Sequence, residues 1–101
     1  MTTLEQLLTA ARIMRWHGCT LKDLELMAMA EGEESTLTDV TERFGISTPA
    51  ATGKVQRSPY VDVRRHPKDY RKRVVFLTAR GKKLFPVMVG DLEQALREEA
   101  V

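Results

Sequence analysis

Apolar residues recur at helical spacing through the first thirty positions. Leu4, Leu7, Leu8, Ala11 and Met14 share one face of a helix expected from about Leu4 to His17. Thr3 and Gln6 form a capping-box pattern at its start, and Gly18 suits its C-terminal cap. A second helix should begin at Thr20, where Thr20-Leu-Lys-Asp23 is another capping box. Leu21, Leu24, Leu26, Met27, Ala28, Met29 and Ala30 leave it little polar surface, so it should lie at the centre of a core. Glu31-Gly-Glu-Glu34 then makes an acidic, solvated turn.

From Ser35 to Arg57 the pattern shortens. Leu37, Val40, Phe44 and Ile46 are apolar anchors, Thr38 is placed to cap a short helix ending near Phe44, and Gly45 supplies a sharp turn. Ser47 or Thr48 caps the next helix; Pro49 favours Thr48, because proline suits the first helical position. That helix runs from Pro49 to about Arg57, stopped by Ser58-Pro59. Two short helices joined across a glycine read as a helix-turn-helix. Two strands should follow, Tyr60–Arg64 with Val61 and Val63 on one face, and the β-branched and aromatic run Arg73–Leu77. The polar stretch 65–72 between them is a hairpin tip, so the pair is a wing. Thr78 caps a last helix to about Glu99, which Pro86 should kink or divide. The expected fold is mainly α with a small β-hairpin, a winged helix-turn-helix. A single domain over 1–101 is expected, with a DNA-binding core at 20–78 and flanking helices at 1–18 and 79–101 expected to serve dimerisation.

Charge sharpens this picture. Eleven of the sixteen basic residues fall between Gly53 and Lys83, opposed only by Asp62 and Asp69, a net of +9. The remainder carries five basic and twelve acidic residues, a net of −7. So dense a basic block on a folded scaffold fits a polyanionic partner. On the second helix of the pair, Ser47, Thr48, Ala50, Thr52, Gly53, Gln56 and Arg57 face outward, while Ala51 and Val55 face the core. An α-helix fits the major groove, where Gln, Thr and Arg read base edges and small residues allow close approach. In the wing, Arg64, Arg65, Lys68, Arg71, Lys72 and Arg73 cluster about a tight loop suited to the minor groove, with Asp69 placed to orient Arg71.

The segment Asp69-Tyr-Arg71-Lys-Arg-Val-Val-Phe-Leu77-Thr78-Ala-Arg-Gly81 resembles the wing signature of the MarR-family regulators. Asp69, Arg71, Leu77, Thr78 and Gly81 all match its pattern. Upstream, Val40-Thr-Glu-Arg-Phe-Gly45-Ile46-Ser47-Thr-Pro49-Ala-Ala-Thr52 resembles the family's helix-turn-helix, and Thr20-Leu-Lys-Asp-Leu-Glu-Leu-Met the start of its preceding helix. The likeness spans roughly Thr20 to Leu84. It implies a winged-helix transcriptional regulator that binds double-stranded DNA as a homodimer, most often a repressor. Three features depart from the family: the chain is short, Ser58-Pro59-Tyr60 replaces a longer helix end, and Gly53 and Lys54 stand where a basic and an apolar residue are common.

Catalysis finds little support. His17 and His66 are far apart and join no nucleophile motif, and no cysteine pair or His-x-x-x-His spacing suggests a metal. No enzyme activity, catalytic residue, metal or cofactor is expected. His66, beside Pro67, reads as a loop residue, and Cys19 as a buried structural thiol with only His17 nearby to lower its pKa. No apolar run nears the ~20 residues of a membrane span, and no signal peptide is visible, so a cytoplasmic protein is expected. Two other function classes share these features. A winged-helix adaptor would bind a protein partner, with Glu31–Glu34 and Glu98-Glu99 as contacts, and a replication or recombination accessory protein would bind DNA without regulating transcription.

Overall fold

Two reciprocal threonine–aspartate pairs set where the central helices start. The computed structural model describes residues 3–32 and 34–100, with side chains as far as Arg97. Helix α2, Leu21–Glu31, begins where the Thr20 hydroxyl accepts from the Asp23 N–H at 3.1 Å and the Asp23 carboxylate accepts from the Thr20 N–H at 3.2 Å. Helix α3, Leu37–Phe44, repeats the device with Thr36 and Asp39. The cap is therefore Thr36 and not Thr38, as the sequence suggested. Thr36 has a carboxylate three residues on, whereas Thr38 has Thr41, whose hydroxyl instead donates to the Thr38 carbonyl at 2.6 Å.

Gly45 ends α3 in the left-handed region, at φ 63°, and the chain turns directly into helix α4, Thr48–Arg57. Its cap is Ser47, which accepts from the Ala50 N–H at 3.3 Å, rather than Thr48. Proline needs only a place in the first turn, where its missing N–H would have no partner, and Pro49 takes the second position.

Helix α1 spans Thr3–Trp16, so Thr3 lies within the helix and is not its cap. Gly18 closes α1 at φ 69°. Helix α5, Ala79–Ala100, starts where the Thr78 hydroxyl accepts from the Gly81 N–H at 3.2 Å. It runs through Pro86 as one element, not two. Pro86 and Lys82, whose carbonyl loses a partner, both occupy the exposed face, where water can take the bond.

Strands β1, Val61–Arg65, and β2, Arg73–Leu77, pair antiparallel with Val61 opposite Leu77 and Arg65 opposite Arg73. The first strand starts one residue later than its alternation suggested, because buried Tyr60 is spent on the approach, its hydroxyl donating to the Gly18 carbonyl at 3.2 Å. The segment before α3 adds a short third edge: Thr36 bridges Val74, and the Val75 N–H donates to the Ser35 carbonyl at 2.9 Å. The hairpin is thereby fastened to the helix-turn-helix.

The core gathers at α2. Leu26, Met27, Val40, Ala51, Val55 and Met88 are fully buried, with Val61, Val75 and Leu77 closing it from the sheet side. Each of the larger side chains contributes about 1.5–3 kcal/mol by leaving water. Helix α1 packs along α5 instead, held at its end by His17 Nε2 against Asp91 Oδ2 at 2.9 Å. Of the α1 stripe only Met14 is buried; Leu4, Leu7 and Leu8 remain 65, 63 and 56% exposed. The apolar residues of α5 are better covered, with Met88 buried and Phe85 and Leu92 packed on the core, leaving Leu96 open.

Candidate nucleic-acid interface

Helix α4 is half core and half surface. Ala51 and Val55 are fully buried one turn apart, which aims the opposite face at solvent. Ser47, Thr48, Ala50, Gln56 and Arg57 are exposed, and Thr52 and Gly53 are half-buried. Two of these side chains are less free than the sequence implied. The Thr52 hydroxyl donates to the Thr48 carbonyl at 3.0 Å, so its methyl and oxygen lone pairs are what it presents. The Arg57 guanidinium folds back over Gly53, within 3.1 Å of where a Cβ would stand. The absent side chain makes room for arginine here, and close approach along this face requires Arg57 to swing away. Lys54 lies over the Phe44 ring at 5.7 Å, bringing one more cation to the helix pair.

The wing is built by its backbone. The Asp69 side chain accepts from the Arg71 N–H at 3.1 Å, the Lys72 N–H donates to the Asp69 carbonyl at 3.0 Å, and the His66 N–H donates to the Lys72 carbonyl at 2.8 Å. Asp69 also lies 3.6 Å from Arg71 Nε, so it shapes the turn and steadies the guanidinium, which stays 94% exposed. His66 is more than a loop residue. Its Nδ1 accepts from the Lys68 N–H at 3.0 Å, which leaves the proton on Nε2, 2.9 Å from the Glu34 carboxylate. The base of the tip is thus tied to the segment before α3. That bridge between distant segments could not be read from local pattern. Glu34 accordingly serves a fixed contact instead of a purely solvated turn; Glu33 and the side chains of Glu98 and Glu99 lie outside the described residues.

Arg64, Arg65, Lys68, Lys72 and Arg73 are all exposed. Arg64 stacks on the Phe76 ring at 4.8 Å, on the outer face of the hairpin. Arg65 and Arg73 stand directly opposite each other across the strands, and no carboxylate among the described residues is within ion-pair range of either. Like charges so placed repel. They border a cleft of about 230 Å³ with Gln56 and Arg64, which joins the end of α4 to the hairpin. A larger cleft of about 600 Å³ separates Thr48 from Arg71, Lys72 and Arg73, floored by the start of α3. The exposed face of α4 and the wing therefore form one continuous surface. Lys68, at the far end of the loop, lines neither cleft.

Behind this surface lies a polar link that the sequence did not disclose. Ser58, which ends α4, donates to Asp23 Oδ1 at 2.9 Å, and both side chains are buried. Cys19 is buried beside it; burial, then the Asp23 charge, pushes its thiol up to about 11. Among the described residues, no helix is long and apolar enough to cross a membrane, and no three His, Cys, Asp or Glu side chains group as metal ligands.

No family model matches this sequence, and no curated protein does. Solved structures do match the fold. BpsR of Bordetella bronchiseptica, whose DNA binding is regulated by 6-hydroxynicotinic acid, is 21% identical over 94% of this chain and 71% of its own, with a TM-score of 0.65. A point mutant of S. aureus MepR bound to an oligodeoxyribonucleotide is 13% identical over 97% and 75%, with a TM-score of 0.75. Apo MarR from E. coli is 16% identical over 95% and 74%, with a TM-score of 0.71. The chain has the winged-helix fold of the MarR-type regulators.

Proposed function

We propose that this protein binds double-stranded DNA sequence-specifically and regulates transcription, as a repressor that acts by occupying its site. Helix α4 enters the major groove, where Gln56, Thr48 and Thr52 meet base edges and Ser47 and Arg57 meet the backbone. The wing lies along the neighbouring minor groove, led by Arg71. One observation carries the reading: the facing pair Arg65 and Arg73, without a carboxylate partner among the described residues, shares a cleft with Gln56 of the exposed helix. Phosphates between helix and wing would relieve that repulsion. The fold neighbour solved with an oligodeoxyribonucleotide supports the same use of the surface.

The active species is a homodimer. Leu4, Leu7 and Leu8 on α1 and Leu96 on α5 are large apolar side chains left in water. A symmetric pair of chains covers both, and sets two α4 helices about one turn of DNA apart.

Selection of duplexes from a random library by the purified protein, followed by titration at several salt concentrations, tests the proposal. An enriched motif is expected, with a slope of about −0.9 in log affinity against log salt for each phosphate neutralised. Absence of duplex binding at low salt overturns it and favours the protein-binding adaptor.

A further inference from the structure

The tip of the wing carries an aromatic ring that the reading above leaves unused. The hydrogen bond from the Lys72 N–H to the Asp69 carbonyl closes a β-turn whose two central residues are Tyr70 and Arg71. These are the residues that project furthest from such a turn. Tyr70 is 77% exposed, and it makes no hydrogen bond or ring contact among the described residues. A phenol ring has about 150–250 Å² to bury, so leaving it in water at a loop tip forgoes a large apolar contact.

The turn is also braced by hydrogen bonds. The Asp69 side chain holds it from inside, and His66 braces its base through the Lys72 carbonyl and Glu34. A turn so braced loses little entropy when its tip is bound, which suits a residue that inserts into a partner. The ring's neighbours identify that partner. Lys68, Arg71 and Lys72 lie within two residues of Tyr70 in the chain and are exposed, so an apolar protein surface seated on the tip would have cations to desolvate. A polyanion with apolar walls meets ring and cations together. The minor groove has that character, with phosphate rims and deoxyribose sides, and side chains with apolar surface enter it elsewhere.

We infer that Tyr70 is a DNA-contacting residue, whose ring packs against deoxyribose in the minor groove while Arg71 beside it takes the charge. This rests on the DNA-binding reading. It divides the wing tip into a part that salt screens and a part that salt does not.

The test uses the full chain, with Tyr70→Ala, Tyr70→Phe and Arg71→Ala titrated on a selected duplex at several salt concentrations. Tyr70→Ala should bind about tenfold more weakly, the scale of one aromatic–nucleotide contact, with the salt slope unchanged. Tyr70→Phe should stay within about twofold of wild type, since the ring remains. Arg71→Ala should lower the slope by about one unit. Hydroxyl-radical footprints should show sugars under the wing losing protection in Tyr70→Ala, with protection under α4 retained. Wild-type affinity in Tyr70→Ala overturns this inference and leaves the DNA-binding reading standing. A slope that falls with the affinity also overturns it, because the loop would then have moved its cations. Failure of the wild type to bind any duplex at low salt overturns both.

Discussion

Ser58 and Asp23, thirty-five residues apart, share a buried hydrogen bond of 2.9 Å. The other Asp23 oxygen caps α2, so one carboxylate fixes the start of the central helix and the end of α4 together. Asp23→Ala takes the acceptor from the buried Ser58 hydroxyl and from the Thr20 N–H that precedes α2, and should lower stability by about 1–3 kcal/mol in urea unfolding. In a double-mutant cycle with Ser58→Ala the pair should couple by about 0.5–3 kcal/mol. Additive effects would mean that the bond contributes nothing as a pair.

Gly81 has no room for a side chain. A Cβ there would overlap the Tyr60 carbonyl oxygen, where α5 crosses the entry to β1. Gly81→Ala should cost about 1–3 kcal/mol or more in thermal unfolding, because backbone must shift. Gly90, on the same helix, has open space around its Cβ position, and Gly90→Ala should stabilise by about 1 kcal/mol through helix propensity. Similar effects at the two sites would refute the packing argument.

The two DNA elements should fail differently. Arg71→Ala should weaken binding to selected and scrambled duplexes alike. Gln56→Ala should spare the scrambled duplex while costing about 1–3 kcal/mol on the selected one. Asp69→Ala should resemble a milder Arg71→Ala, because it loosens the turn without removing the cation. Filter-binding titrations of all three on both duplexes decide the matter. Equal losses on both duplexes for Gln56→Ala would remove it from base reading.

Leu7→Glu combined with Leu8→Glu places charge on the open face of α1. Both side chains are exposed in the single chain, so its fold should tolerate the change. A dimer that uses this face should dissociate. Sedimentation at micromolar concentration should show dimer for the wild type and monomer for the variant, with DNA affinity reduced. A wild-type monomer, with and without DNA, would refute the assembly.

Cys19 should be inert. With its pKa raised to about 11 by burial and Asp23, thiolate at pH 8 is about a hundredfold scarcer than in an ordinary cysteine. Alkylation by iodoacetamide should be slow in the folded protein across neutral pH, rise only as pH climbs towards the raised value, and become fast on unfolding. Cys19→Ala should leave DNA binding and its response to peroxide unchanged. Peroxide release of DNA from the wild type alone would contradict a structural role.

The sequence by itself determined the order of elements, and with it the fold class. Helical spacing, the Thr20–Asp23 box, Gly45 and alternation through Val61 and Val63 are local signals, and local backbone physics acts on them directly. The Thr36–Asp39 box was equally local and was legible in the same Thr-x-x-Asp spacing; the nearer Thr38 competed with it. The outward face of α4 followed from the spacing of Ala51 and Val55, and the basic wing from composition. Tertiary structure alone decided what those side chains meet. Through it, His66 reached Glu34 across the fold. It also made Asp23 a link to Ser58, set Arg65 opposite Arg73, and left Leu4, Leu7 and Leu8 in water while covering Phe85 and Leu92. Helix and strand periodicity says which way a residue points. Which partner stands there depends on contacts between segments tens of residues apart, and those exist only once the chain has closed on itself.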